Sequence, residues 1–170
     1  PLLNAIPSFL PSPLDVPPIE TINPETEEQK QCFPDENGPF AALVFKVVFD
    51  PHMGQLTYLR VYSGTLDAKS PVYNATRGSK SRVERILEMH ANKREERSSV
   101  SAGDIVAALG LKNVGTGDTI CDRDHPVLLE SIFFPDPVIS KAIEPKTTAD
   151  QEKMGMALAR LGMDDPSLNV

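Results

Sequence analysis

Between Phe40 and Cys121 the chain is a succession of short runs rich in β-branched and aromatic residues, each closed by glycine, proline or aspartate. Phe40 to Phe49 carries Val44, Phe45, Val47, Val48 and Phe49. Gln55 to Leu66 alternates, with Leu56, Tyr58 and Arg60 on one side and Thr57, Leu59, Val61 and Ser63 on the other, the pattern of a half-buried strand. Asp50-Pro51-His52-Met53-Gly54 between them has turn chemistry, so the two runs predict an antiparallel hairpin. Pro71 to Ala75, Asp104 to Leu109 and Thr119 to Cys121 read as further strands, with Gly103, Gly110, Gly115 and Gly117 at the turns. Arg82 to Glu96 is ambiguous on residue physics. Val83, Arg85, Leu87 and Met89 alternate, while Val83, Ile86 and Leu87 also have helical spacing in a Glu- and Arg-rich stretch. Many short strands and glycine turns predict a mainly β chain closed into an antiparallel barrel, which removes exposed sheet edges.

The flanks differ. Residues 1–37 hold prolines at 1, 7, 11, 13, 17, 18, 24 and 34 and read as linker, because proline lacks a donor and fixes its own φ. The barrel is assigned to 38–126. Within 127–170, Val138 to Ile143 reads as a strand, and Thr148 with Gln151 as a capping box. A helix follows with Met154, Leu158 and Leu161 on one face, ending near Gly162. One strand and one helix cannot bury their apolar faces alone, so this unit is expected to be mobile or to pair with a second copy. No internal repeat or low-complexity tract is evident.

Composition narrows the functions. The 170 residues are 40% hydrophobic and 24% charged, an ordinary soluble composition for one domain with extra sequence. No apolar stretch is long enough to cross a bilayer, and the start does not resemble a signal peptide, so the expected compartment is the cytoplasm with no membrane partner. Cys32 and Cys121 stand alone and are read as reduced thiols. The net charge of −7 is unevenly spread. Asp15, Glu20, Glu25, Glu27, Glu28, Asp35 and Glu36 make the first part acidic, whereas Arg77, Lys80, Arg82, Arg85, Lys93, Arg94 and Arg97 cluster farther on.

The chemistry of a nucleotide-hydrolysing enzyme is not written here. There is no G-x-x-x-x-G-K-[ST] phosphate loop, Gly115-x-Gly117 reads as a hairpin turn, and Asn92-Lys93 is followed by Arg94-Glu95 rather than by a guanine-reading pattern. His52, His90 and His125 lack metal-ligand or triad spacing, and Asp122 and Asp124 read as a solvated loop. No catalytic, cofactor or metal residue is assigned. Lys80, Arg82 and Arg85 are spaced to reach one side of a twisted strand pair and bind a phosphate backbone. Composition favours the plainer alternative, a salt-bridged face using Glu84, Glu88, Glu95 and Glu96.

Six short motifs occur in fixed order: Asp50-Pro51-His52-Met53-Gly54, Arg60-Val61-Tyr62-Ser63-Gly64, Met89-His90-Ala91-Asn92-Lys93-Arg94-Glu95-Glu96, Ala102-Gly103-Asp104-Ile105, Thr116-Gly117-Asp118-Thr119 and Ile143-Glu144-Pro145-Lys146-Thr147. Together they resemble the second domain of bacterial elongation factor G, the GTPase that drives ribosomal translocation. The resemblance implies a translation-factor β-barrel, preceded by the tail of a GTPase domain and followed by the start of a third domain. It favours strand for Arg82 to Met89. It implies a non-catalytic piece, with GTP and Mg held elsewhere in the parent protein. Partners would be small-subunit ribosomal RNA, the GTPase domain and the third domain. By the same resemblance Lys80, Arg82, Arg85, His90, Lys93 and Arg94 become ribosome-contact candidates, and Arg60, Tyr62, Ser63 and Gly64 inter-domain contacts. A factor G paralogue, a ribosome-protection protein and a purely structural inter-domain module are the alternatives.

Overall fold

The computed structural model describes residues 2–90, 93–130, 132, 136–165 and 167–169. The Ala91-Asn92 half of the Met89-His90-Ala91-Asn92 string lies outside them, as do Pro1, Pro166 and Val170 in the end segments. The described chain holds α1 (Leu2–Phe9), β1 (Ile19–Ile22), β2 (Gln29–Cys32), β3 (Ala41–Asp50), β4 (Gly54–Ser63), β5 (Thr65–Asp67), β6 (Pro71–Asn74) and β7 (Ser79–Arg82). β8 (Arg85–His90), β9 (Lys93–Arg97), β10 (Ser99–Ser101), β11 (Ile105–Leu109), β12 (Thr119–Cys121) and α2 (Thr148–Asp164) follow.

Eight strands form one antiparallel sheet in the order β7-β6-β12-β3-β4-β11-β8-β9. It curls around one main core, with smaller clusters outside it. Val44 and Val47 of β3, Leu59 and Val61 of β4, Val72 of β6, Ile86 of β8, Val106 of β11 and Ile120 of β12 share that core, so strands toward both ends of the sheet order meet inside. Burying each such side chain contributes about 1.5–3 kcal/mol. The β5–β10 pair adds Leu66 and Val100. Between β7 and β8, buried Val83 donates its N–H to Ser70 O (3.1 Å), and Glu84 donates to Leu109 O (2.8 Å).

Within the ambiguous stretch, the described residues of β8 and β9 are strand, with Val83 and Glu84 linking β7 to β8. Ile86 and Leu87 are adjacent in sequence, yet Ile86 enters the barrel core while Leu87 packs outside it with Leu56, Ala107 and Leu109. Burial on opposite faces at consecutive positions is strand geometry, not helix. The predicted β3–β4 hairpin is present, with Asp50 opposite Gly54. Asp50 Oδ1 accepts from the N–H groups of His52 (2.9 Å) and Met53 (3.1 Å), closing the turn.

The structure does contain an internal repeat, in hydrogen bonding rather than sequence length. Gly103 donates to Val61 O (2.9 Å) and Val61 donates to Asp104 O (3.0 Å); Gly117 donates to Val44 O (2.7 Å) and Val44 to Asp118 O (2.9 Å). Each aspartate also accepts through Oδ2 from the N–H three residues before it, Ser101 (2.9 Å) or Gly115 (2.9 Å). Both glycines have positive φ, 100° and 92°. Two Gly-Asp turns thus lock the starts of β11 and β12 to Val61 near the end of β4 and to Val44 in β3.

Three departures have local causes. Inside the span read as linker, β1 and β2 pair from Ile19 opposite Cys32 to Ile22 opposite Gln29. Pro17, Pro18, Pro24 and Pro34 bracket these strands without interrupting them. The hairpin packs on the barrel: Thr21 is buried, and Ile22 exchanges backbone hydrogen bonds with Leu128 (3.0 and 2.7 Å). Val138 to Ile143, expected as a strand, pairs with nothing among the described residues and leaves Val138 95% and Ile139 76% exposed. β-branched composition favours extension, but a strand needs a second strand to bond. The expected capping box of Thr148 with Gln151 is not formed: Thr147 is the N-cap, makes no side-chain bond to a backbone N–H, and its hydroxyl donates instead to Asp150 Oδ2 (2.7 Å). α2 runs past Gly162 to Asp164 and lies near β3, with the Arg160 guanidinium 5.7 Å from the Phe49 ring centre. Short α1 contains Pro7 and buries none of its residues.

Candidate nucleic-acid interface

The cations fall into two groups because β8 separates them. Lys80 and Arg82 stand on β7, opposite Tyr73 and Pro71 of β6, and Arg85 opens β8. His90 ends β8, with Lys93 opposite it and Arg94 opposite Met89. Five residues of extended chain put Arg85 about 17 Å from His90. All six candidate side chains are at exposed positions.

Acidic neighbours claim half of them. Arg85 donates two parallel bonds to Glu96 (3.0 and 2.9 Å). Arg94 donates to Asp50 Oδ2 (2.7 Å) and to Met53 Sδ (2.7 Å). His90 Nε2 lies 3.1 Å from Glu88 Oε1. The salt-bridged face suggested by composition is therefore built at Arg85 and Arg94. Arg97, which the sequence did not single out as a site, donates through Nε to Glu88 Oε2 (2.6 Å). Lys80, Arg82 and Lys93 make no ion pair among the described residues. Arg82 Nε donates to Lys69 O (2.9 Å), which fixes the guanidinium without neutralising it. Surface pairs such as Arg85–Glu96 contribute little to stability, yet they remove cationic field where a phosphate would sit.

Asp50 is an anchor that the sequence did not reveal. Its carboxylate closes the β3–β4 turn and, through Arg94, fastens that turn to the tip of the β8–β9 hairpin. Hydrogen bonding from the His52 N–H, and then from Arg94, holds its pKa below the ordinary carboxylate value. Hydrogen bonding from Arg85 does the same for Glu96. A depressed folded-state pKa contributes stability above the unfolded pKa and loses it as pH falls through the folded value. The melting temperature should therefore fall as pH drops below the ordinary carboxylate range. Asp50→Asn should flatten that slope in a pH series of thermal melts; an unchanged slope would show the Asp50–Arg94 tie contributes nothing.

The inter-domain candidates divide by burial. Arg60 is exposed and stacks 5.0 Å from the centre of the half-buried Tyr62 ring. Pro13, Val16 and Pro17 line a groove together with Arg60, Tyr62 and Gly103, so the chain's own leading segment runs beside this face. Ser63 and Gly64 are buried and serve the barrel itself. A cavity of about 350 Å³ lies between the β1–β2 hairpin and the barrel, lined by Lys30, Cys32, Asp35, Ser63 and His125 among others. Cys32 and Cys121 are free thiols, and burial pushes both pKa values up, which keeps them protonated.

The eight-stranded sheet and its two Gly-Asp turns describe an antiparallel β domain, and comparison with known proteins places it in a family. The family model described as elongation factor G domain 2 matches residues 39–123, and that described as elongation factor G, domain III, matches residues 134–170. The chain belongs to the elongation factor G family. It is also similar to a crystal structure of a protein from Thermus thermophilus, with 27% identity and a TM-score of 0.70 over 99% of this chain. The chain spans 23% of the length of that protein. No helix described is long and apolar enough to cross a membrane.

Proposed function

We propose that this chain is the non-catalytic barrel portion of a ribosome-dependent translocation GTPase in the cytoplasm, helping to dock the factor on small-subunit RNA and to position its domains. The observation that carries this reading is the match of residues 39–123 to elongation factor G domain 2. Lys80, Arg82 and Lys93, exposed and without acidic partners among the described residues, are the contacts it favours, with Arg85, His90 and Arg94 as supporting residues. GTP and Mg belong to a GTPase domain of the parent protein. Arg60 and Tyr62 face that domain. The rest of the third domain covers the apolar surface of Val138, Ile139 and Ile143, through which two copies of this chain would otherwise pair. The same reading holds for a factor G paralogue or a ribosome-protection protein.

Binding of the 170-residue chain to small-subunit RNA over a salt series tests this. Phosphate contacts make log K fall linearly with log salt. Lys80→Gln with Arg82→Gln should weaken binding and lower the slope by about 1–2. An unchanged slope would remove both residues from the interface. The Arg85–Glu96 and Arg94–Asp50 pairs favour a second reading, a structural module that relays motion between neighbouring domains. That module would show no salt-sensitive RNA binding but would associate with a separately supplied GTPase domain.

A further inference from the structure

The exposed face of the β8–β9 hairpin carries a ligand set that the sequence spacing concealed. Glu88 of β8 stands directly opposite Glu95 of β9. Like charges facing each other across a ladder are destabilising unless something neutralises them. His90, two residues beyond Glu88, projects from the same face because side chains alternate along a strand. One ligand atom from each of Glu88, His90 and Glu95 lies within 4.8 Å of the others, and His90 Nε2 is 3.1 Å from Glu88 Oε1. Arg97 is the present counter-ion: it bonds Glu88 Oε2 and approaches Glu95 Oε2 at 3.9 Å.

We infer that Glu88, His90 and Glu95 form a surface site for a divalent transition-metal ion, with zinc the best chemical fit. An imidazole and two carboxylates are borderline-hard donors of the kind zinc accepts, at about 2.0–2.2 Å each. Ligands at that range around a tetrahedral ion stand about 3.4 Å apart. His90 Nε2 and Glu88 Oε1 already stand near that spacing at 3.1 Å, and a small rotation of the exposed Glu95 side chain brings in the third ligand. The hairpin ladder fixes the backbone of all three residues beforehand, which lowers the ordering cost of binding. The ion brings two positive charges to a place where Arg97 supplies one, so it displaces Arg97 from Glu88. Water completes the coordination shell on the open side. The site uses neither Lys80 nor Arg82 and does not rest on the RNA-docking reading.

Zinc titration of the untagged 170-residue chain against a competing chelator tests it, with cobalt substituted for zinc as a spectroscopic probe. One equivalent should bind, and cobalt should give the visible absorption of a tetrahedral site. His90→Ala and Glu95→Gln should each weaken binding by about tenfold or more. Arg97→Met should tighten it, because the competing cation is gone; unfolding cannot produce that result. His52→Ala with His125→Ala should leave it unchanged. Lack of one-equivalent binding, or binding indifferent to His90→Ala, overturns the site.

Discussion

Gly64→Ala is expected to destabilise the chain by about 3–5 kcal/mol, enough to unfold a domain of ordinary marginal stability. Gly64 joins β4 to β5 with φ of +71°. A methyl group there would stand 2.6 Å from Phe40 Cα and N and 2.7 Å from Gly38 O. These are backbone atoms, so no side-chain rotation relieves the overlap. The loop is fastened as well, by Gly64 N–H to Asp35 O (2.8 Å) and Ala102 N–H to Gly64 O (3.0 Å). Gly54 supplies the comparison. Its φ is +78°, but an added methyl meets nothing within 4 Å. Gly54→Ala therefore carries only the left-handed backbone cost, about 1 kcal/mol. In chains of this size each kcal/mol shifts the melting temperature by about 2–4 °C. Equal shifts for the two variants would show that the Phe40 backbone yields freely and that packing does not explain the glycine.

The same residue shows how the motifs divide. Arg60-Val61-Tyr62-Ser63-Gly64 reads as an inter-domain surface, yet Val61, Ser63 and Gly64 are interior parts of the barrel, and only Arg60 and Tyr62 reach outward. A recurring string can mark a backbone constraint as readily as a partner. β3, β4, β6, β11 and β12 are legible because their own side chains alternate or cluster. β9 is not, since Lys93-Arg94-Glu95-Glu96-Arg97 is exposed at every position and has no apolar residue to reveal a period. β1 and β2 are hidden among prolines that lie beside the strands rather than in them. Val138 to Ile143 fails the other way: its composition is strand-like, but pairing belongs to a second segment. Within the candidate interface the cations themselves can be read from sequence. That acidic neighbours neutralise some of them is suggested by composition, but which pairs form is not, because Arg94 and Asp50 lie 44 residues apart and only the folded register brings them together.

Asp118→Ala should be the second costly change, at about 3–4 kcal/mol, because it strands buried donors. The Asp118 side chain is 5% exposed and its Oδ2 accepts from Asn74 Nδ2 (2.8 Å), Arg77 Nε (2.6 Å) and Gly115 N–H (2.9 Å). Removing the carboxylate leaves the fully buried Asn74 amide and the Gly115 N–H without that partner. Each such buried donor costs about 1–3 kcal/mol. Arg77 contributes less, because its side chain is 44% exposed and water replaces the lost bond. The order of cost should be Asp118→Ala, then Asp118→Asn, then Arg77→Ala. All three donors meet Oδ2, so asparagine can put its carbonyl oxygen there and loses mainly the charge that strengthens those bonds. Asp104 is the repeat-related control: it makes the same turn at an exposed position, so Asp104→Ala should cost no more than about 1 kcal/mol. Denaturant unfolding of the four variants at unchanged m-value reads the series directly. If Arg77→Ala proved as damaging as Asp118→Ala, the energy would reside in the ion pair. The buried amide and the turn it closes would then be bystanders.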